Sequence, residues 1–359
     1  MTHDQRGAAH SGTLPLVIVA ALAAVVLVLT GCSTLQTSQT LISSAAQSGM
    51  ARSGRPLQAA YRNAAGALES GWDAERLRVS GDLWREAGYL AQAAADWEAA
   101  LTLSPNDADL ARDLALTYIE LGRWELALSA LDRLLELTPA DLWARLQRGL
   151  IRAAVTPEAA LEDLRAAAAE PAYTTLVGAL IAAIADPVDV QDAVAVRVGL
   201  ALADAELWPQ AELAFERLLA VGGSARAAAY VGWSRDQQGK DGSAMIARAV
   251  AAAPQDAQVR YLQALHLRNR GDYAGSLGAM IQAVALDAAS PLLYAELGAA
   301  YHLTGDVISA EHWLRRAVEF SGGDPRFQAL LDQVSAGEQQ TLEALGLGDL
   351  AAIGRPDEP

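Results

Sequence analysis

The feature that most constrains this chain is a recurrence. Pro105 and Pro139 stand 34 residues apart, and counting back from each gives similar residue types at five shared offsets, 24, 21, 17, 12 and 8 residues upstream. Before Pro105 come Leu77, Gly81, Trp84, Gly88, Ala93, Trp97 and Ala100; before Pro139 come Leu114, Ala115, Tyr118, Gly122, Ala127 and Leu131. A fixed period of this size means one supersecondary unit used repeatedly, each burying its apolar face on its neighbours. Apolar residues at helical spacing, a glycine suited to a left-handed helix end and a closing proline describe two antiparallel helices per unit. Small residues (Gly81, Ala115) are expected where the helices cross, with small residues (Ala93, Ala127) facing them. Trp84, Tyr118, Trp97 and Leu131 are expected to fill the space between layers.

The pattern returns downstream. Gly199, Leu202, Ala211, Phe215 and Leu218 form one unit, and Ala264, Leu267, Gly271, Tyr273, Met280 and Ala283 another. Gly298, Tyr301, Gly305, Ala310, Leu314 and Ala317 form a third. Gly232, Gly239, Ala244, Ala249 and Pro254 fit a unit about two residues short in its central turn, and residues 140–171 fit a similarly shortened one. Residues 172–190 fit worst and read as a degenerate helix and a bend in the array. Alanine is abundant, only three of 359 residues are Phe, and β-branched runs are short, which favours helix over sheet. The expectation is all-α.

In these residues the chain resembles the tetratricopeptide repeat family. The resemblance implies an α-solenoid superhelix of about seven helix-turn-helix units over residues 72–322. Residues 56–71 would be an N-terminal cap helix or degenerate repeat, 323–346 a C-terminal capping helix and 347–359 a disordered tail.

The N-terminus reads as an address. An apolar stretch from Leu14 to Leu29 follows a polar start and ends at Leu29-Thr30-Gly31-Cys32. It has signal-peptide length. Cys32 is the sole cysteine, so it forms no internal disulfide and no cysteine-based metal site. The tetrapeptide resembles the bacterial lipobox, which implies cleavage after residue 31 and a diacylglycerol thioether on Cys32. Two or more acyl chains anchor stably where one binds marginally. Ser33 follows the cysteine. In a two-membrane host this resembles the signal for the outer membrane, facing the periplasm; in a one-membrane host the anchor would sit on the outer face of the plasma membrane. Residues 32–55, rich in Ser, Thr and Gln, read as a flexible tether.

The formal charge is −16, which repels phosphate backbones and makes nucleic acid an unfavourable partner. The mature part keeps His266, His302 and His312, read as ordinary surface or interlayer histidines. Ala274-Gly275-Ser276-Leu277-Gly278 is one residue short of a nucleophile elbow and lacks a preceding strand. Gly346-Leu347-Gly348 lacks the rest of a dinucleotide site. Carboxylate pairs such as Glu162-Asp163 lie on helices and are expected to be solvated. The reading is noncatalytic, with no cofactor or metal beyond the lipid on Cys32.

The resemblance places partner binding on a concave face lined by the first helix of each unit. Transferred by position, the candidates are Arg78, Asp82, Arg85, Arg112, Trp143, Trp233, Tyr261, Arg268 and Asn269, with His302 in the last unit. Exposed Trp, Tyr and Arg are typical hot-spot residues. The function expected is an envelope scaffold or adaptor for pilus or secretion-system assembly, binding other envelope proteins. A regulator docking peptidoglycan synthases or hydrolases and a polysaccharide or small-ligand binder are the alternatives.

Overall fold

The computed structural model describes residues 73–185 and 191–336, together with Ala59, Arg62 and Asn63. Cys32, the signal peptide, the tether and the tail at 347–359 lie outside the described residues, as does most of the segment at 56–71. Among the described residues all regular structure is helical, sixteen α-helices and one short 3-10 turn. They fall into two compact units that divide between Pro139 and Ala140.

The first unit holds α1 (Ala74–Glu86) packed on α2 (Leu90–Leu103), and α3 (Ala108–Glu120) packed on α4 (Trp124–Leu137). The second opens with the pair α5 (Leu142–Val155) and α6 (Pro157–Ala167). A 3-10 turn at Pro171–Tyr173 leads into an unpaired helix, α7 (Thr174–Ala185), which packs between α6 and α8. Four pairs follow: α8 (Gln191–Asp204) with α9 (Trp208–Gly222), α10 (Ala225–Gln237) with α11 (Ser243–Ala252), α12 (Ala257–Asn269) with α13 (Tyr273–Leu286), and α14 (Pro291–Leu303) with α15 (Val307–Phe320). Helix α16 (Pro325–Ser335) closes on α15 through Phe327, Leu330 and Val334. No helix among the described residues is long and apolar enough to cross a membrane.

The crossing within each pair explains its glycine. A Cβ on Gly81 would stand 2.3 Å from the Trp97 ring, one on Gly199 2.4 Å from Phe215, and one on Gly298 2.7 Å from Leu314. The glycine therefore makes room for a large residue on the second helix, where the sequence suggested a small one. At the end of the first helix Gly88, Gly122, Gly239, Gly271 and Gly305 all hold φ between 65° and 85°. In the α8–α9 pair Glu206 occupies that place, at φ 58°. First helices are capped by Asp73, Asp107, Asp141, Ser224, Asp256 and Ser290, whose side chains accept a backbone N–H of the first turn.

The shortened unit differs from expectation in one residue. Gly242, not Ala244, lies against the first helix: a Cβ there would sit 2.1 Å from the Gly232 carbonyl oxygen, whereas Ala244 is exposed. The two missing residues remove the first turn of α11 and bring the backbones together.

Candidate functional site

In the first unit the candidate residues tie one first helix to the next. Arg78 Nη1 donates to Asp107 Oδ2 at 3.1 Å. Arg85 donates to Thr117 Oγ1 at 3.1 Å and Glu120 Oε1 at 2.8 Å, with its guanidinium 5.9 Å from the centre of the Trp97 ring. Asp82 accepts the Trp97 indole N–H at 3.2 Å. Arg112 on α3 is half-buried, as is Trp143 on α5 in the second unit.

In the second unit two expected groove aromatics are core residues. Trp233 is 3% exposed and meets Trp208 edge-on, ring centres 4.9 Å apart. Tyr261 is 1% exposed, and its hydroxyl donates to Glu296 Oε1 at 3.3 Å. Arg268 donates to the other oxygen of Glu296 at 2.9 Å, and Asn269 Nδ2 to Gln237 Oε1 at 3.1 Å. The cause of this burial is close approach of successive first helices along alanine-rich seams: α10 packs directly on α12. Residues Ala227–Ser234 of α10 and Leu292–Ala300 of α14 are buried without a break. A helix buried over more than two turns has no open face left for a ligand.

Three polar clusters were not legible as such. Asp163, expected to be solvated, has no solvent exposure. It accepts from Arg148 Nε at 2.7 Å and Nη2 at 2.6 Å, and from Arg152 Nη1 at 3.0 Å, with Arg145 Nη1 at 3.5 Å. Glu212 on α9 accepts from Arg235, Gln238 and Lys240. Burial alone would raise its carboxyl pKa; the bonds from Lys240, Arg235 and Gln238 outweigh that and hold it below the usual carboxylate range. Tyr230, stacked on Phe215 of the same helix α9, is pushed up to about 12 by burial.

The third cluster joins α10, α11 and α12. His266 Nδ1 lies 2.6 Å from Asp236 Oδ2, and its Nε2 is 3.4 Å from Ser243 Oγ. The residue types and their order match a nucleophile, a base and an orienting acid. The geometry does not: the Ser243 hydroxyl donates to Asp241 Oδ1 at 2.6 Å rather than to His266, whose Nε2 is 3.4 Å away. Asp236 Oδ1 also accepts the Gly242 N–H at 3.1 Å, so the cluster holds the shortened turn in place. Among the described residues no group of three His, Cys, Asp or Glu side chains could hold a metal ion.

Exposed apolar side chains stand on several second helices. Ile308 is 85% exposed, Phe320 50% and Leu286 38%. A cavity of about 620 Å³ is lined by the loop from Ala252 to Ala257 with Arg226, Leu286 and Asp287. Next to it the Ala288 carbonyl accepts the Tyr294 hydroxyl, and Tyr294 stacks on Trp313 with ring centres 5.5 Å apart.

Residues 85–150 match the family profile described as Tetratricopeptide repeat. That stretch carries the tetratricopeptide repeat pattern. No curated protein matches it. Among solved structures it is similar to a tetratricopeptide repeat protein from Parabacteroides merdae, at 16% identity, 73% of this chain, 98% of the other and a TM-score of 0.37. It is also similar to YrrB, described as a tetratricopeptide repeat protein with an unusual peptide-binding site, at 15% identity, 67% and 97% coverage and a TM-score of 0.32. Yeast Tom70 matches at 15% identity over 78% of this chain and 69% of its own, with a TM-score of 0.32.

Proposed function

We propose that this chain is a lipid-anchored, noncatalytic scaffold that gathers other envelope proteins during assembly of a pilus or secretion system. The observation that carries the scaffold reading is the repeated pairing: among the described residues seven helix pairs recur, and bonds such as Arg85–Glu120 and Asp236–His266 join one first helix to the next. The anchor rests on Leu29-Thr30-Gly31-Cys32, with the sole cysteine where the apolar stretch ends. The net charge of −16 disfavours nucleic acid as a partner.

Two experiments test this reading. Replacing Cys32 by Ser should release the protein from the membrane fraction; unchanged fractionation would sink the anchor. Pull-down of the lipidated protein from crosslinked envelopes should enrich pilus or secretion components. Enrichment of wall enzymes instead would assign it to peptidoglycan, and recovery of glycan alone would end the scaffold reading.

A further inference from the structure

One arginine of the last repeat is placed unlike the structural ones. Arg316 on α15 lies over three rings, 5.3 Å from the centre of Tyr294, 5.3 Å from Phe320 and 5.9 Å from Trp313. Its Nε is shielded from solvent and has no hydrogen-bond partner. A buried donor without an acceptor costs free energy that is recovered when this side chain swings out to meet a ligand. The residue at the same position of the second helix pair, Arg133, shows what such a side chain does when structural: its guanidinium donates to the Pro105 carbonyl at 2.7 Å and 3.1 Å. In the last repeat the matching loop carbonyl, Ala288, is already taken by the Tyr294 hydroxyl. Arg316 is thus held on an aromatic platform with an unused donor.

We infer that Tyr294, Trp313, Arg316 and Phe320 form a docking surface for a carboxylate-bearing, apolar segment of a partner protein. The inference rests on the scaffold reading and names the chemistry of one partner. Charge complementarity selects the occupant: a guanidinium raised over rings takes a carboxylate in a planar, two-pronged geometry, and half-exposed Phe320 takes the apolar side chain beside it. The adjoining cavity, with Leu286 and Pro254 in its wall, extends the surface by room for one further side chain. Buried first helices leave the expected inner positions Trp233 and Tyr261 closed, which moves recognition to this outer edge.

The test uses the purified full chain and two acetylated, amidated peptides, one of repeated Gly-Leu-Glu and its twin of repeated Gly-Leu-Gln. Binding is read from the Trp313 indole resonance and by calorimetry. The Glu peptide should bind and shift that resonance, and the Gln peptide should bind about tenfold more weakly, the loss expected for one charged hydrogen bond. R316Q should abolish the difference between the peptides, while R316K keeps part of it. F320A, whose side chain is half in solvent, should weaken both peptides alike. Equal binding of the two peptides, no binding at millimolar concentration, or an unchanged profile in a folded R316Q chain overturns the inference. Binding seen only after removal of residues 337–359 also overturns it, by making the chain's own acidic C-terminal segment the occupant. Failure here with envelope proteins still recovered in the pull-down leaves the scaffold standing; loss of those proteins too removes the reading beneath it.

Discussion

Arg148 grips Asp163 through two parallel hydrogen bonds, Nε to Oδ2 at 2.7 Å and Nη2 to Oδ1 at 2.6 Å, and the carboxylate has no contact with solvent. Arg145 and Arg152 close on the same group from the turns before and after. Replacing Asp163 by Asn leaves crowded cations on α5 and should cost about 3–5 kcal/mol, the usual penalty for breaking a buried pair. Urea unfolding of the full chain reads it. A loss below about 1 kcal/mol would mean that the carboxylate behaves as a surface group.

Glu206 stands at φ 58°, where five other helix pairs have glycine. A side chain in that region costs roughly 1–2 kcal/mol. Glu206→Gly should therefore stabilise the chain by about 1 kcal/mol net of glycine's greater freedom when unfolded. Glu206→Ala is the control and should gain nothing. Thermal melts of both variants decide it; equal melts would show that the strain is not stored there.

Gly242 has no room for a methyl group, since the obstacle 2.1 Å away is the Gly232 carbonyl oxygen, part of a helix backbone. Gly242→Ala should destabilise by about 2–3 kcal/mol, at the upper end for overpacking. It should also separate Asp236 from the turn it caps. A melt within a degree of the parent would contradict the close approach of α10 and α11.

Glu212 has a folded pKa below its unfolded value. Its bonds therefore stabilise the protein above the unfolded carboxylate pKa and lose that effect as pH falls through the folded one. Glu212→Gln should cost on the order of 2 kcal/mol at pH 7. The gap between variant and parent should narrow as the pH drops below the ordinary carboxylate range. Unfolding curves across pH 3–7 test this, and a gap independent of pH would assign the loss to packing alone.

Trp233→Ala should destabilise by about 3–5 kcal/mol, as expected of a buried aromatic. Earlier weakening of partner retention than of folding would restore Trp233 as a binding residue. Comparing pull-down yield with melting temperature separates the two.

The helix pairs were legible because glycine and proline do work that few other residues can, at a left-handed helix end and at a helix stop. Asp73, Asp107 and Asp141 repeat the same period and cap successive first helices; that signal was available in the chain and points to the same boundaries. Trp233 and Tyr261 were misplaced because family positions carry an open groove with them, whereas openness depends on how closely neighbouring helices approach. The warning was in α14, where Leu292-Leu293-Tyr294-Ala295 and Leu297-Gly298-Ala299-Ala300 give an apolar surface on every side. Asp163 had a comparable clue in Arg145, Arg148 and Arg152, which share one face of α5. Nothing local announces the Asp236–His266 bond, because its partners are 30 residues apart on different helices.

Because α14 is enclosed by its neighbours, it cannot be the first part of the chain to come loose. Helices α16 and α15 lie on the path of release and must peel away before it does. Amide protons in Leu292–Ala300 should therefore exchange later than those of α16, giving a graded fraying front that advances inward from the last helix.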